Sequence, residues 1–160
     1  MALVSVFLAP VAYALAVFRD ESGRWLNRQE RRPRTEYIVV HYDSIFRPTS
    51  LDEIQHQHRD VNGWESGFAY HYYLYGGKVY KTRNEDSSSP HAYGYNDNSV
   101  AVCIHAESGE LDRINLRLLV SYLRLKYNIS KERVVGHGEL PGNHTECPGF
   151  PMDSLRSMLY

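Results

Sequence analysis

Eight histidines and two cysteines are spread over 160 residues, and their neighbours sort the candidates for chemistry. His41 and His137 share one setting: each closes a short apolar run, Ile38-Val39-Val40-His41 and Val134-Val135-Gly136-His137. A side chain at the end of a buried strand is held by a rigid scaffold yet faces a cleft, which is the placement a metal site needs. Cys147 stands in a loop stiffened by Pro148 and Gly149. Two imidazoles and one thiolate are donors that suit zinc. Three protein ligands leave the fourth tetrahedral position open, as in catalytic rather than structural sites. His144, three residues before Cys147, competes with His137 as the second nitrogen donor.

The remaining histidines have plainer readings. His56 and His58 lie among polar neighbours on a predicted helix and are expected in solvent. His71 and His105 fall in predicted strands and read as structural. His91 opens a loop after Pro90. Cys103 sits inside the apolar run Val100 to Ile104 and reads as a small buried hydrophobe. Two cysteines in such different settings do not suggest a disulfide framework, and a Cys103–Cys147 bridge stays open as the alternative.

The elements that must position these groups follow from periodicity and turn chemistry. Residues 37 to 41 form a β-branched apolar run, a buried strand. Ser50 and Glu53 make a capping box for a helix over 51 to 60. Residues 69 to 75 and 78 to 81 flank Gly76-Gly77 and predict a hairpin. A strand over 99 to 105 follows. Leu116, Leu119, Val120, Leu123 and Tyr127 predict a helix over 115 to 127. A short strand at 133 to 135 and a closing helix at 151 to 159 complete the series. Alternating strands and helices predict an α/β fold, a central mixed sheet flanked by helices in one domain.

That domain is expected over 36–160, after an Arg-rich connector at 19–35. Residues 1–18 carry no charged side chain; they read as a signal, an anchor in contact with a membrane, or a helix packed on the domain. The formal net charge of -1 argues against non-specific nucleic-acid binding, which needs a basic excess. The chain is expected to be a monomer.

Four ordered stretches carry a resemblance. They are Val40-His41-Tyr42-Asp43-Ser44; Asn62-Gly63-Trp64 followed by Ala69-Tyr70-His71-Tyr72; His91-Ala92-Tyr93-Gly94-Tyr95-Asn96-Asp97-Asn98-Ser99; and Gly136-His137-Gly138-Glu139-Leu140 with Thr145-Glu146-Cys147-Pro148-Gly149. Together, over about residues 36 to 155, the chain resembles the zinc-dependent N-acetylmuramoyl-L-alanine amidases of phage endolysins and animal peptidoglycan-recognition proteins. The resemblance implies that family's fold and one zinc ion per chain, held by His41, His137 and Cys147. It implies hydrolysis of the amide between N-acetylmuramic acid and L-alanine in peptidoglycan, at the cell wall. Tyr70 would stand near the activated water, and Thr145 would hydrogen-bond the developing oxyanion. His91 and Asn96 would line the substrate cleft, and Trp64 and Tyr93 would stack on sugar faces. The alternative is a recognition module of the same fold that binds muropeptides without cutting them. One departure stands out: the stretch from His137 to Cys147 is about two residues longer than in the shorter family members, with Pro141-Gly142-Asn143 as the extra turn.

Overall fold

The apolar runs build the sheet. The computed structural model describes residues 17–24 and 29–160; residues 1–16, the bulk of the uncharged N-terminal segment, lie outside them. The strands are β1 (Phe18–Asp20), β2 (Tyr37–Tyr42), β3 (Tyr72–Tyr75), β4 (Lys78–Lys81), β5 (Ser99–Ile104) and β6 (Val134–Gly136). The helices are α1 (Leu51–His56), continued by a wider π turn over Gln57–Val61, α2 (Glu110–Tyr127) and α3 (Met152–Ser157). The sheet order is β1-β4-β3-β5-β2-β6. The β3–β4 hairpin is antiparallel and every other pairing is parallel, so the sheet is mixed, as expected.

Register divides the side chains between two faces, because successive residues of a strand point to opposite sides. Ile38 and Val40 of β2, with Val100 and Val102 of β5, pack under Leu116, Val120 and Leu123 of α2 and Met152 and Leu155 of α3. Each such buried aliphatic side chain contributes about 1.5–3 kcal/mol. His41 pairs with Cys103 across β2 and β5, and Cys103 packs with Tyr73, Phe68 and Ile54 of α1. The alternation that fills the core beneath α2 therefore sends His41 to the opposite face.

The capping box of α1 is present: Ser50 Oγ accepts from the Glu53 N–H at 3.2 Å and the Glu53 carboxylate accepts from the Ser50 N–H at 2.9 Å. α2 begins at Glu110, ahead of the apolar periodicity. Its first turn is fixed by Asp112, which accepts from the N–H groups of Gly109 (3.3 Å) and Gly77 (2.8 Å); Leu111 and Ile114 stay exposed, so no apolar stripe announced that turn. The Arg-rich stretch reaches inside as well. Arg32 is buried and donates to Thr35 Oγ1 and the Ser87 carbonyl. No helix among the described residues is long and apolar enough to cross a membrane.

Candidate metal centre

β2, β6 and the 145–149 loop meet at one point. His41 is the penultimate residue of β2, and His137 opens a 3-10 turn (His137–Glu139) directly after β6. β2 and β6 are hydrogen-bonded neighbours with Val40 opposite Gly136, so adjacent parallel strands deliver both imidazoles to the same edge. The turn after β6 is held by Glu139, whose carboxylate accepts from the Gly136 N–H at 2.9 Å and from Arg156 at 2.8 and 2.9 Å. The loop is tied down by the Gly138 N–H, which donates to the Cys147 carbonyl at 2.8 Å.

Donor atoms of His41, His137 and Cys147 all lie within 4.8 Å of one another. His41 Nδ1 stands 3.7 Å from Cys147 Sγ. Tetrahedral zinc with bonds of about 2.0–2.1 Å to nitrogen and about 2.3 Å to sulfur would separate two such donors by about 3.6 Å. The site therefore fits zinc in donor type and spacing. Burial pushes His41 well below 6.5, with His91 and His137 adding to the effect. Burial also lowers His137, against the hydrogen bond it makes to Asn143 Oδ1. Both rings are thus neutral and keep a lone pair to offer. Burial raises the Cys147 thiol to about 11, opposed by the Tyr42 N–H that donates to Sγ at 3.3 Å. A divalent cation reverses that balance, since a coordinating thiol is deprotonated outright. His144 is exposed and lies outside the group.

Rings stack outward from this point. The Tyr70 ring is 5.3 Å from His41, His58 is 5.3 Å from Tyr70, and Trp64 is 5.0 Å from His58. Burial, then the charges of Cys103, Cys147 and Asp43, hold the Tyr70 phenol well above 10. It is therefore protonated. His58 corrects the expectation of a solvated side chain. It is buried, accepts from the Ala69 N–H at 3.2 Å, and has its pKa lowered to about 4 by burial and by Arg83. The signal was present in the sequence: His58 stands four residues after the buried Ile54 and shares its helix face.

The other expected site residues spread around the rim. Thr145 is exposed; its Oγ1 accepts from the Cys147 N–H at 3.2 Å and keeps its own proton to donate. Tyr93 is 81% exposed, open to a ligand. His91 is buried, and both ring nitrogens are engaged, at 3.0 Å with His41 Nε2 and at 2.9 Å with Ser99 Oγ. That leaves it no polar atom for substrate. Asn96 Oδ1 accepts from the N–H groups of His91 and Ala92, both at 3.0 Å, and so shapes the loop. Sequence reasoning missed Asn143, 3.0 Å from His137 Nε2, and Arg83. Arg83 is fully buried and donates to the carbonyls of Phe68 and Ser88, both at 2.6 Å, tying the Tyr70 segment to the loop before His91. His71 and His105 are structural: His71 accepts from the Ala101 N–H at 3.0 Å, and His105 pairs with Asp43 at 2.7 Å. The cysteines are both free. A surface depression of about 680 Å³ lies at Lys131, Glu139 and Arg156 and holds none of the three donors; donor chemistry locates the site.

Comparison with known proteins points the same way. A family model for N-acetylmuramoyl-L-alanine amidase matches residues 30–150. The chain is similar to the solved N-acetylmuramoyl-L-alanine amidase LysC from Clostridium intestinale, with 25% identity, a TM-score of 0.76, and 88% of this chain and 95% of that one covered. It has the fold of the Ph2119 endolysin from a Thermus scotoductus bacteriophage (22%, 0.74, covering 88% and 97%). It also has the fold of a Drosophila PGRP-LB mutant in complex with tracheal cytotoxin (20%, 0.64, covering 82% and 87%). No curated protein matched the sequence.

Proposed function

Because the chain belongs to the N-acetylmuramoyl-L-alanine amidase family, we propose that it is a zinc-dependent hydrolase that cuts the amide between N-acetylmuramic acid and L-alanine in bacterial peptidoglycan. The observation that carries this reading is the convergence of His41, His137 and Cys147 within 4.8 Å, in a donor set suited to zinc. Those three residues would hold one ion per chain. Zinc bound there would act as a Lewis acid on the carbonyl and would lower the pKa of a water to about 7.

The chain's own groups complete the chemistry. The Tyr42 N–H supports the Cys147 sulfur and favours its thiolate. Tyr70, kept protonated, serves as a hydrogen-bond donor that orients the attacking water and not as a base. Thr145 has a free hydroxyl proton beside Cys147 and donates it to the oxygen that gains charge, a contact worth about 2.7–4 kcal/mol for one well-placed donor. Trp64 and Tyr93 offer ring faces to the glycan, and Asn96 shapes the loop that carries Tyr93. The LysC amidase and the phage endolysin among the similar structures, and the PGRP structure with tracheal cytotoxin, support peptidoglycan as the substrate class and the cell wall as the place of action.

The rival reading is a recognition module that binds without cutting. Retention of the third donor, Cys147, favours hydrolysis. Digestion of purified peptidoglycan decides between them. New amino groups on L-alanine, lost on chelation and restored by zinc, are expected. Binding without new amines overturns the enzyme reading, and full activity in metal-free protein overturns zinc dependence.

A further inference from the structure

The outer nitrogens of the two candidate ligand histidines are each held by a partner whose own hydrogen bonds fix its role. Asn143 Oδ1 accepts from the Tyr93 N–H at 3.0 Å, and its Nδ2 donates to the carbonyls of Tyr93 at 3.1 Å and Pro141 at 3.3 Å. A backbone N–H can only donate and a carbonyl can only accept, so the backbone sets which way this amide points. The Oδ1 lies 3.0 Å from His137 Nε2 and must receive the proton of that nitrogen. His137 then carries its lone pair on Nδ1.

The second chain runs through His91. The Ser99 hydroxyl donates its single proton to the Tyr95 carbonyl at 2.6 Å. Its oxygen, 2.9 Å from His91 Nε2, therefore accepts from that nitrogen, and in a neutral His91 the lone pair falls on Nδ1. His41 Nε2, 3.0 Å away, is the donor to it. The lone pair of His41 is thereby placed on Nδ1, the atom 3.7 Å from Cys147 Sγ. Both chains end on the backbone of one loop, at Tyr93 and at Tyr95.

We propose that His91 and Asn143 are positioning residues that fix both ligand histidines in the Nε2–H tautomer, so that each offers Nδ1 to the ion before any ion arrives. The 91–99 loop acts as the common anchor, and the extra turn Pro141-Gly142-Asn143 exists to reach it. The inference rests on the reading of His41, His137 and Cys147 as zinc ligands. Partners of this kind fix ring orientation and raise ligand basicity, and their loss typically weakens metal binding by about 10–100-fold.

The test combines two readouts on the full chain. In metal-free protein labelled with 15N-histidine at about pH 8, above the ordinary histidine range, long-range proton–nitrogen spectra are expected to show His41, His91 and His137 all protonated on Nε2. An Nδ1–H signature at His41 or His137 overturns the proposal. Zinc affinity is measured by competition with a chromophoric chelator. N143A and S99A are expected to bind about 10–100-fold more weakly. Unchanged affinity in N143A overturns the proposal. A wild-type protein that shows these tautomers but binds no zinc overturns the metal reading and leaves the tautomer assignment standing.

Discussion

Gly136→Ala is a small perturbation aimed at the packing of β6 against the Cys147 loop. Gly136 lies at the end of β6, directly before His137. A Cβ placed on it would meet Pro148 Cδ at 2.6 Å and Met152 Cγ at 3.0 Å. The Met152 side chain can swing aside, but Pro148 Cδ belongs to a ring closed on the backbone nitrogen next to Cys147. Ordinary contact begins at 3.4 Å, so β6 and the Cys147 loop must separate by about 0.8 Å. A metal site tolerates about 0.2 Å in its ligand distances, and a misplacement of about 1 Å can cost 10²-fold in rate. Overpacking of this kind costs about 1–3 kcal/mol of stability, which a folded domain of this size survives. The expected result is a folded protein with substoichiometric zinc and about 100-fold slower release of L-alanine amines, read by atomic absorption, urea unfolding and product analysis. A variant with one tightly held zinc and the wild-type rate would refute the claim that β6 and the 147–148 segment are packed rigidly against each other.

Three further outcomes are expected. His137→Ala loses both zinc and lytic activity, whereas His144→Ala keeps most of each; the reverse pattern, in zinc analysis and turbidity assays, would reassign the second nitrogen ligand. Tyr70→Phe keeps its zinc and loses turnover, because only the hydroxyl is removed; an unchanged kcat on purified peptidoglycan dismisses Tyr70 as a donor. His58, with its pKa lowered from 6.5 to about 4, binds fewer protons folded than unfolded between those values. Stability is therefore undiminished above pH 6.5 and falls as pH drops towards 4, by at most about 3 kcal/mol for this group. Urea unfolding from pH 7.5 to 4.5 of the wild type and of His58→Gln should show the weaker pH dependence in the variant, and parallel curves would contradict it.

Much of this site was legible in the sequence because its scaffold is local. The runs ending at His41 and His137 are β-branched and apolar, and they form neighbouring strands, so reading both histidines as strand-end ligands needed no knowledge of tertiary contacts. The hairpin around Gly76-Gly77 and the capping box of Ser50 and Glu53 were legible for the same reason. What escaped depends on partners distant in sequence. Asn143 acquires its role from a backbone amide fifty residues away, at Tyr93. Arg32 fell within the expected connector and Arg83 within no pattern at all; both are interior because loop carbonyls turn inward to receive them. The start of α2 was hidden because a carboxylate, and not an apolar stripe, anchors it.

The outermost strand has a practical consequence. β1 supplies only Phe18–Asp20, yet it covers the far side of β4, with Val17 packed on the core and Asp20 paired to Lys81 at 3.0 Å. The family match begins twelve residues further on, at residue 30. A fragment begun at residue 30 would keep all three candidate zinc donors but bare the hydrogen-bonding rim of β4, and an uncovered rim recruits strands from other molecules. The shortest piece able to carry out hydrolysis is therefore longer at its beginning than the ligand set requires, and trimming it too closely would be expected to show up as clumping before any loss of lytic chemistry.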